Sequence, residues 1–350
     1  MRAVTLATMA LAVALATSTA ASARDLAVPA GKGWQHAASG LVLLPTLAGL
    51  TRTGLSDNGT AERDVIAQFA DADEAVQATI FLFSPAEASV PLWFDRAETA
   101  MLGRTAFKGA TPLTPAAIAF APPGSTIQSA LRRGYVVPVG PFPTTAIAAI
   151  PSGDWLVVIR ISGKTTDAAA LDAVLSRLIA DIRWPAATPA VAAVSIAACP
   201  ATTTFHMAKL RKADLQASLL GSLIAGAAML NRKPSVDAAA AAPWCRNGEG
   251  QPLWAVYRKP DVTAGYMLAL GDSGRVVDVF PGLSLDAAKP DAGFAITLRD
   301  IDGSAATYPM FDRLPAPEQV LTMVMKTAPT TRTRQTDGKL NVTVDSSIAQ

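Results

Sequence analysis

The chain is poor in the residues on which most site chemistry depends. Of its 350 residues two are histidine, two cysteine and four tyrosine, while charged residues make up 17% and aromatic residues 6%. His36 and His206 are too few for a histidine-rich metal centre, and neither stands at ligand spacing from a cysteine. Basic and acidic residues nearly cancel, 30 against 28. The short basic clusters Lys209-Leu-Arg211-Lys212 and Arg132-Arg133 read as solvated helix or loop positions, so no nucleic-acid partner is implied.

What is present begins with MRAVTLATMALAVALATSTAASARDL. Arg2 precedes an apolar run from Ala3 to Ala16, and the small triplet Ala21-Ser22-Ala23 precedes Arg24. This pattern predicts a secretory signal peptide over 1–23, cleaved near Ala23, and a periplasmic or secreted protein. The run is shorter than the roughly 20 residues of a spanning helix, which argues against an anchor. In an oxidising compartment the two cysteines predict one disulfide, Cys199 to Cys245. Closing a loop of about 45 residues, it would stabilise the fold by roughly 4 kcal/mol in the chain-entropy account.

Composition divides the remainder. The spacing predicts an α+β domain over 24–185, an uncharged Ala/Pro linker over 186–198, a second α+β domain over 199–326 and a mobile polar tail over 327–350. Each domain is expected to be a mainly antiparallel sheet covered by helices. In the first half strands are predicted over 41–45, 65–69, 76–83, 135–139, 145–150 and 155–162. A helix follows Pro91 and stops at Gly103. A second, capped by Thr166-Asp167, carries Leu171, Val174, Leu175, Leu178, Ile179 and Ile182 on one face. Pro185 ends it by disfavouring helical geometry at Trp184. In the second half a helix is predicted over 207–231, then strands over 253–258, 265–270, 276–280, 294–298 and 305–309, and a last helix over 316–325.

The opening SGLVLLPTL, the helix in mid-domain, the late hairpin ending in GDWLVVIRISG and the closing helix ending in IRWP resemble the small secreted domains of the PsbP/DcrB/Mog1-like type. That resemblance spans about 145 residues and implies a non-enzymatic domain that binds a partner.

Each stretch that suggests chemistry has a plainer reading. Gly271-Asp272-Ser273-Gly274 matches the surroundings of a protease serine, which would need a histidine base and an orienting carboxylate. Arg275 stands where that family has another glycine, and strand-like runs flank the tetrapeptide, so it is predicted to be a hairpin turn. Asp300-Ile-Asp302-Gly303 opens like a calcium loop but brings glycine two positions early, which predicts a turn. Asp71, Asp73 and Glu74 share one turn, and Gly31-Lys32-Gly33 lacks the spacing of a phosphate loop. The six tryptophans, Trp34, Trp93, Trp155, Trp184, Trp244 and Trp254, are scattered as core and rim residues would be.

No catalytic, cofactor-binding or metal-binding residue is therefore nominated. The expectation is an exported binding or assembly protein of the cell envelope, without catalysis of its own, whose partner is an unknown protein or small molecule. A hydrolase assembled from distant residues is the alternative. A protein lying on the membrane through 207–230 is another, less favoured because that stretch reads as a core helix packed through small residues.

Overall fold

The computed structural model describes residues 23–164, 167–211, 243–282, 293–336 and 339–345. The expected signal peptide up to residue 22 and most of the expected helix over 207–231 lie outside the described residues. Residues 207–211 are not helical, and Leu210 makes an isolated bridge to Phe311 instead.

The first half forms one antiparallel sheet. Its long strands are β1 (Leu50–Asp57), β2 (Asp64–Ala70), β3 (Val76–Phe83), β4 (Ala130–Val136), β5 (Thr144–Ser152) and β6 (Trp155–Gly163), laid side by side as β1-β2-β3-β6-β5-β4. Helix α1 (Val90–Leu102) falls between β3 and β4, and helix α2 (Ala168–Asp181) closes the unit. Ser89 caps α1, whose first turn holds Pro91, and the Asp167 carboxylate caps α2 through the Ala170 amide at 2.7 Å. The apolar positions of α2 pack with Trp34, Leu41, Leu43 and Leu47 on one face of the sheet.

The second half is a meander: β7 (Cys245–Arg246), β8 (Trp254–Arg258), β9 (Tyr266–Leu270), β10 (Arg275–Pro281), β11 (Phe294–Arg299), β12 (Ser304–Phe311), β13 (Thr331–Thr336) and β14 (Lys339–Val344). The short helix α3 (Pro317–Lys326) lies between β12 and β13 and packs through Val320 and Met323 on one face.

One expectation is corrected here. The fold is not a pair of α+β domains with helix-covered sheets, because strands take up 40% of the described residues against 14% for helices, and those residues hold three helices. The physical reason lies in the second core: Phe83, Trp93, Ile147 and Val158 of the first half share it with Ala255, Tyr257, Met267 and Val276 of the second. Each sheet thus covers the other, with α1 wedged in, and neither needs a helical layer of its own on that face. Residues 331–336 and 339–344 form a hairpin on the edge of the second sheet, with Thr331 and Thr333 buried and Arg332 and Arg334 exposed. That is the period-2 alternation of a half-buried strand, with threonine in the inward places.

The seam between the sheets is polar at its centre. Arg96 on α1 is fully buried and donates to the carbonyls of Gly271, Gln251 and Pro252 at 2.8–2.9 Å. Its neighbour Asp95 accepts from Tyr257 Oη at 2.5 Å and from Arg246 at 2.7 Å, and burial pushes its carboxyl above the ordinary range. Arg299 on β11 reaches back to the Ala86 carbonyl and to Glu87 while pairing with Asp278 at 2.6 Å.

The Cys199–Cys245 disulfide is present, with Cα atoms 4.9 Å apart, and suits an exported protein. It pins the chain where Ala197–Ala198 runs parallel to β7. No helix among the described residues is long and apolar enough to cross a membrane.

A candidate ligand cleft where the crossover leaves the first sheet

The residues that suggested chemistry in the sequence turn out to hold the chain in shape. Gly271 to Gly274 is the turn between β9 and β10, and Ser273 Oγ accepts from Arg275 Nη1 at 3.2 Å. No histidine joins it. His36 hydrogen-bonds Ser39 Oγ through Nδ1 and the Glu62 carbonyl through Nε2, with its ring against Trp34 and Trp155. Burial holds its imidazole below the ordinary value. His206 is exposed and bridges to Pro315 through its backbone.

The last glycine of that turn has a packing duty. Gly274 has φ +96°, and a Cβ there would come within 2.9 Å of both Phe83 and Ile301 and 3.0 Å of Pro85. Its carbonyl also accepts from the Ala86 amide at 2.7 Å, so the turn is docked against the end of β3. Gly274→Ala is expected to lower stability by about 2 kcal/mol through backbone strain and overpacking. Urea unfolding would measure it; a loss below about 0.5 kcal/mol would show that the turn is not clamped there.

Asp300-Ile-Asp302-Gly303 is also a turn. Asp302 accepts from the Ser304 amide at 2.8 Å and from Arg334 at 2.6 Å, and Asp300 pairs with Arg275 at 3.0 Å. Among the described residues no cluster of three or more histidine, cysteine or carboxylate side chains has metal-binding geometry. Asp71 accepts from the Val76 amide, and Lys32 offers its carbonyl to Arg52.

Asp64, on β2, faces this corner from the other sheet. It is 7% exposed, and burial pushes its carboxyl up to about 6, with Asp272, Asp57 and Asp300 adding to the rise and Arg275 opposing it. The folded state therefore binds the proton more tightly than the unfolded chain does. Stability from this group rises as pH falls through about 6 and is complete below about 3.8. Asp64→Asn, which removes the buried charge, is expected to stabilise the protein at pH 8 by on the order of 2 kcal/mol. The gain should vanish by about pH 4, and an equal difference from wild type at both pH values would contradict the assignment.

A concave feature lies elsewhere, at the end of the first sheet. A cavity of about 530 Å³ opens between the N-terminal end of α1, the β5–β6 turn at Ser152 to Trp155, the crossover 184–194 and the Trp244–Lys259 corner of the second half. Gly153, at φ +62°, makes that β5–β6 turn and leaves Trp155 at its exit. Pro185 turns the crossover away from α2, after Arg183 has bridged Val42 in both directions.

Four of the six tryptophans border this cleft: Trp93, Trp155, Trp184 and Trp244. Three have their indole N–H engaged inside the protein, Trp93 by the Glu87 carbonyl, Trp184 by the Ile179 carbonyl and Trp244 by the Glu87 carboxylate. Half-buried Trp184 and Trp244 therefore offer the cleft apolar surface, while Trp93 is wholly buried behind it. Lys259 sits 4.4 Å from the centre of the Trp244 ring, and burial lowers its ammonium, with Glu87 and Asp261 holding it up.

Two serines beside the cleft have unsatisfied hydroxyls. Ser129 and Ser152, 2% and 7% exposed, have hydroxyl oxygens that are buried and without a hydrogen-bond partner. Leaving such a group unpaired costs about 1–3 kcal/mol. Sequence reasoning passed over both, because a lone serine at a strand end carries no pattern. It also took the tryptophans as scattered, which they are along the chain and not in space. No family model, curated protein or solved structure matches this chain.

Proposed function

We propose that this chain is an exported, non-catalytic binding protein of the cell envelope, released by cleavage near Ala23, and that it holds its ligand in the cleft at the end of the first sheet. The observation that carries this reading is the cavity itself, walled by tryptophan, proline and alanine side chains at the meeting of the two halves. The cavity volume falls within the roughly 300–1,000 Å³ of ordinary ligand sites. The partner-binding role implied by the PsbP/DcrB/Mog1-like resemblance agrees with this reading.

Native mass spectrometry of the mature protein, isolated gently from its own host's envelope, tests it. A co-purifying mass that leaves on denaturation is expected, together with saturable binding of the neutral dye N-phenyl-1-naphthylamine by the stripped protein. A bare, folded protein that also ignores the dye would refute the cleft as a binding site.

A further inference from the structure

Away from the cleft, the first sheet holds a cation that no other group among the described residues grips. Arg160 on β6 stands directly opposite Thr79 on β3, so the two side chains leave the same face of the sheet, with Cβ atoms roughly 5 Å apart. The next pair along that face, Val158 and Phe81, packs into the core shared with the second half. Arg160 and Thr79 lie just outside that core, each half-buried.

The Arg160 guanidinium rests 5.6 Å from the centre of the Phe81 ring, and among the described residues it makes no hydrogen bond and no ion pair. None of its nitrogens is sealed from solvent, so a ligand can reach them. The same holds for Thr79 Oγ1, which is open and makes no hydrogen bond among the described residues. The arginines that hold this fold together are different: Arg96, Arg258 and Arg299 each donate to three or more acceptors. Arg104, exposed just beyond the end of α1, also makes no side-chain hydrogen bond or ion pair among the described residues. Burial, and then the Arg104 charge, push the Arg160 guanidinium down to about 10, against the pull of Asp272 in the β9–β10 turn. A guanidinium kept charged in such a place is short of an anion.

A guanidinium fork sends two parallel donors to two oxygens of one group. A carboxylate spends both of its oxygens there and keeps none for the Thr79 hydroxyl or for Arg104. A tetrahedral oxyanion has oxygens left for each. We infer that this open face binds a tetrahedral oxyanion, phosphate or sulfate as the free ion or as a monoester, held by Arg160 with Thr79 and Arg104 beside it. None of the three residues borders the cleft, so the anion and the ligand of the cleft occupy separate places.

The probe is inorganic phosphate, titrated calorimetrically into the mature protein at low ionic strength, where screening is weak. Saturable binding with a dissociation constant of about 1 mM or tighter is expected. Arg160→Gln should weaken it about ten-fold or more, and Thr79→Val about three-fold. Asp272→Asn removes an opposing charge and should tighten binding about three-fold, a gain that a purely structural role for these residues would not produce. Arg177→Gln, at an exposed arginine on α2 across the sheet, should change nothing. Arg160 has no hydrogen-bonded partner to leave unpaired, so its variant should keep a native circular dichroism spectrum. If it does not, Thr79→Val and Asp272→Asn carry the test.

Sulfate should compete with phosphate. Glycerol 3-phosphate separates the two sources: affinity equal to that of phosphate supports a monoester, and its exclusion supports the free ion. Phosphate that fails to saturate overturns the inference, as does phosphate binding that Arg160→Gln leaves intact or that Asp272→Asn weakens. Acetate bound as tightly as phosphate overturns the tetrahedral choice.

Discussion

Arg96→Met is expected to lower the free energy of unfolding by about 3–5 kcal/mol. The guanidinium has no exposed surface, and each of its three nitrogens donates to a carbonyl of the second half, at Gly271, Gln251 and Pro252. Methionine fills much of the volume but donates nothing, so all three carbonyls lose a charged partner in a place water reaches poorly. Arg96→Lys keeps the charge yet cannot present a planar fork to three acceptors, and it should recover only part of the loss. Because these bonds join α1 to the second sheet, the variant is also expected to unfold in two steps where wild type unfolds in one. Guanidinium unfolding followed by circular dichroism and by tryptophan fluorescence would show this as separated transitions. A loss under about 1 kcal/mol with coincident transitions would mean that the apolar seam alone joins the sheets.

Removing the disulfide is the other large effect. The double variant Cys199→Ala, Cys245→Ala is expected to lose about 2–5 kcal/mol, the range for a native bridge closing a loop of this length. The bridge ties the end of the crossover to β7, beside the bond from the Cys199 amide to the Arg246 carbonyl at 2.9 Å. Its loss should therefore loosen the wall of the cleft as well as lower the melting temperature, and dye affinity should fall along with stability. Titrating wild type with and without reductant measures both at once. An unchanged melting temperature after verified reduction would show that β7 and the crossover are held by other contacts.

Much of the fold could be read along the chain wherever one face of an element is apolar. The strand over 76–83 and the apolar stripe of α2 were legible because neighbours in sequence already display the period that packing uses. The hairpin turns at 271–274 and 300–303 were legible because their residues need the turn whatever surrounds them. Other elements hid their inward face behind polar residues. In β1, LTRTGLSD, the inward places include Arg52, whose Nη2 donates to the carbonyls of Pro29 and Lys32, and Asp57, which accepts from the amides of Gly59 and Glu62. In β13 threonines do the same. Hydrophobic alternation cannot report a strand whose buried positions are polar and paired from afar.

By itself the amino-acid order determined the elements whose inward face is apolar and the pairing of two cysteines that had no other candidates. Tertiary structure alone decided that the two sheets cover one another, that Arg96 and Asp95 hold the seam, and that Trp93, Trp155, Trp184 and Trp244 meet with Ser129 and Ser152 around one cleft. The reason is range. Periodicity, caps and turns act over a few residues and leave their mark in the sequence, whereas the cleft joins positions up to 174 residues apart, from Pro85 to Lys259, through contacts that exist only once both sheets have formed.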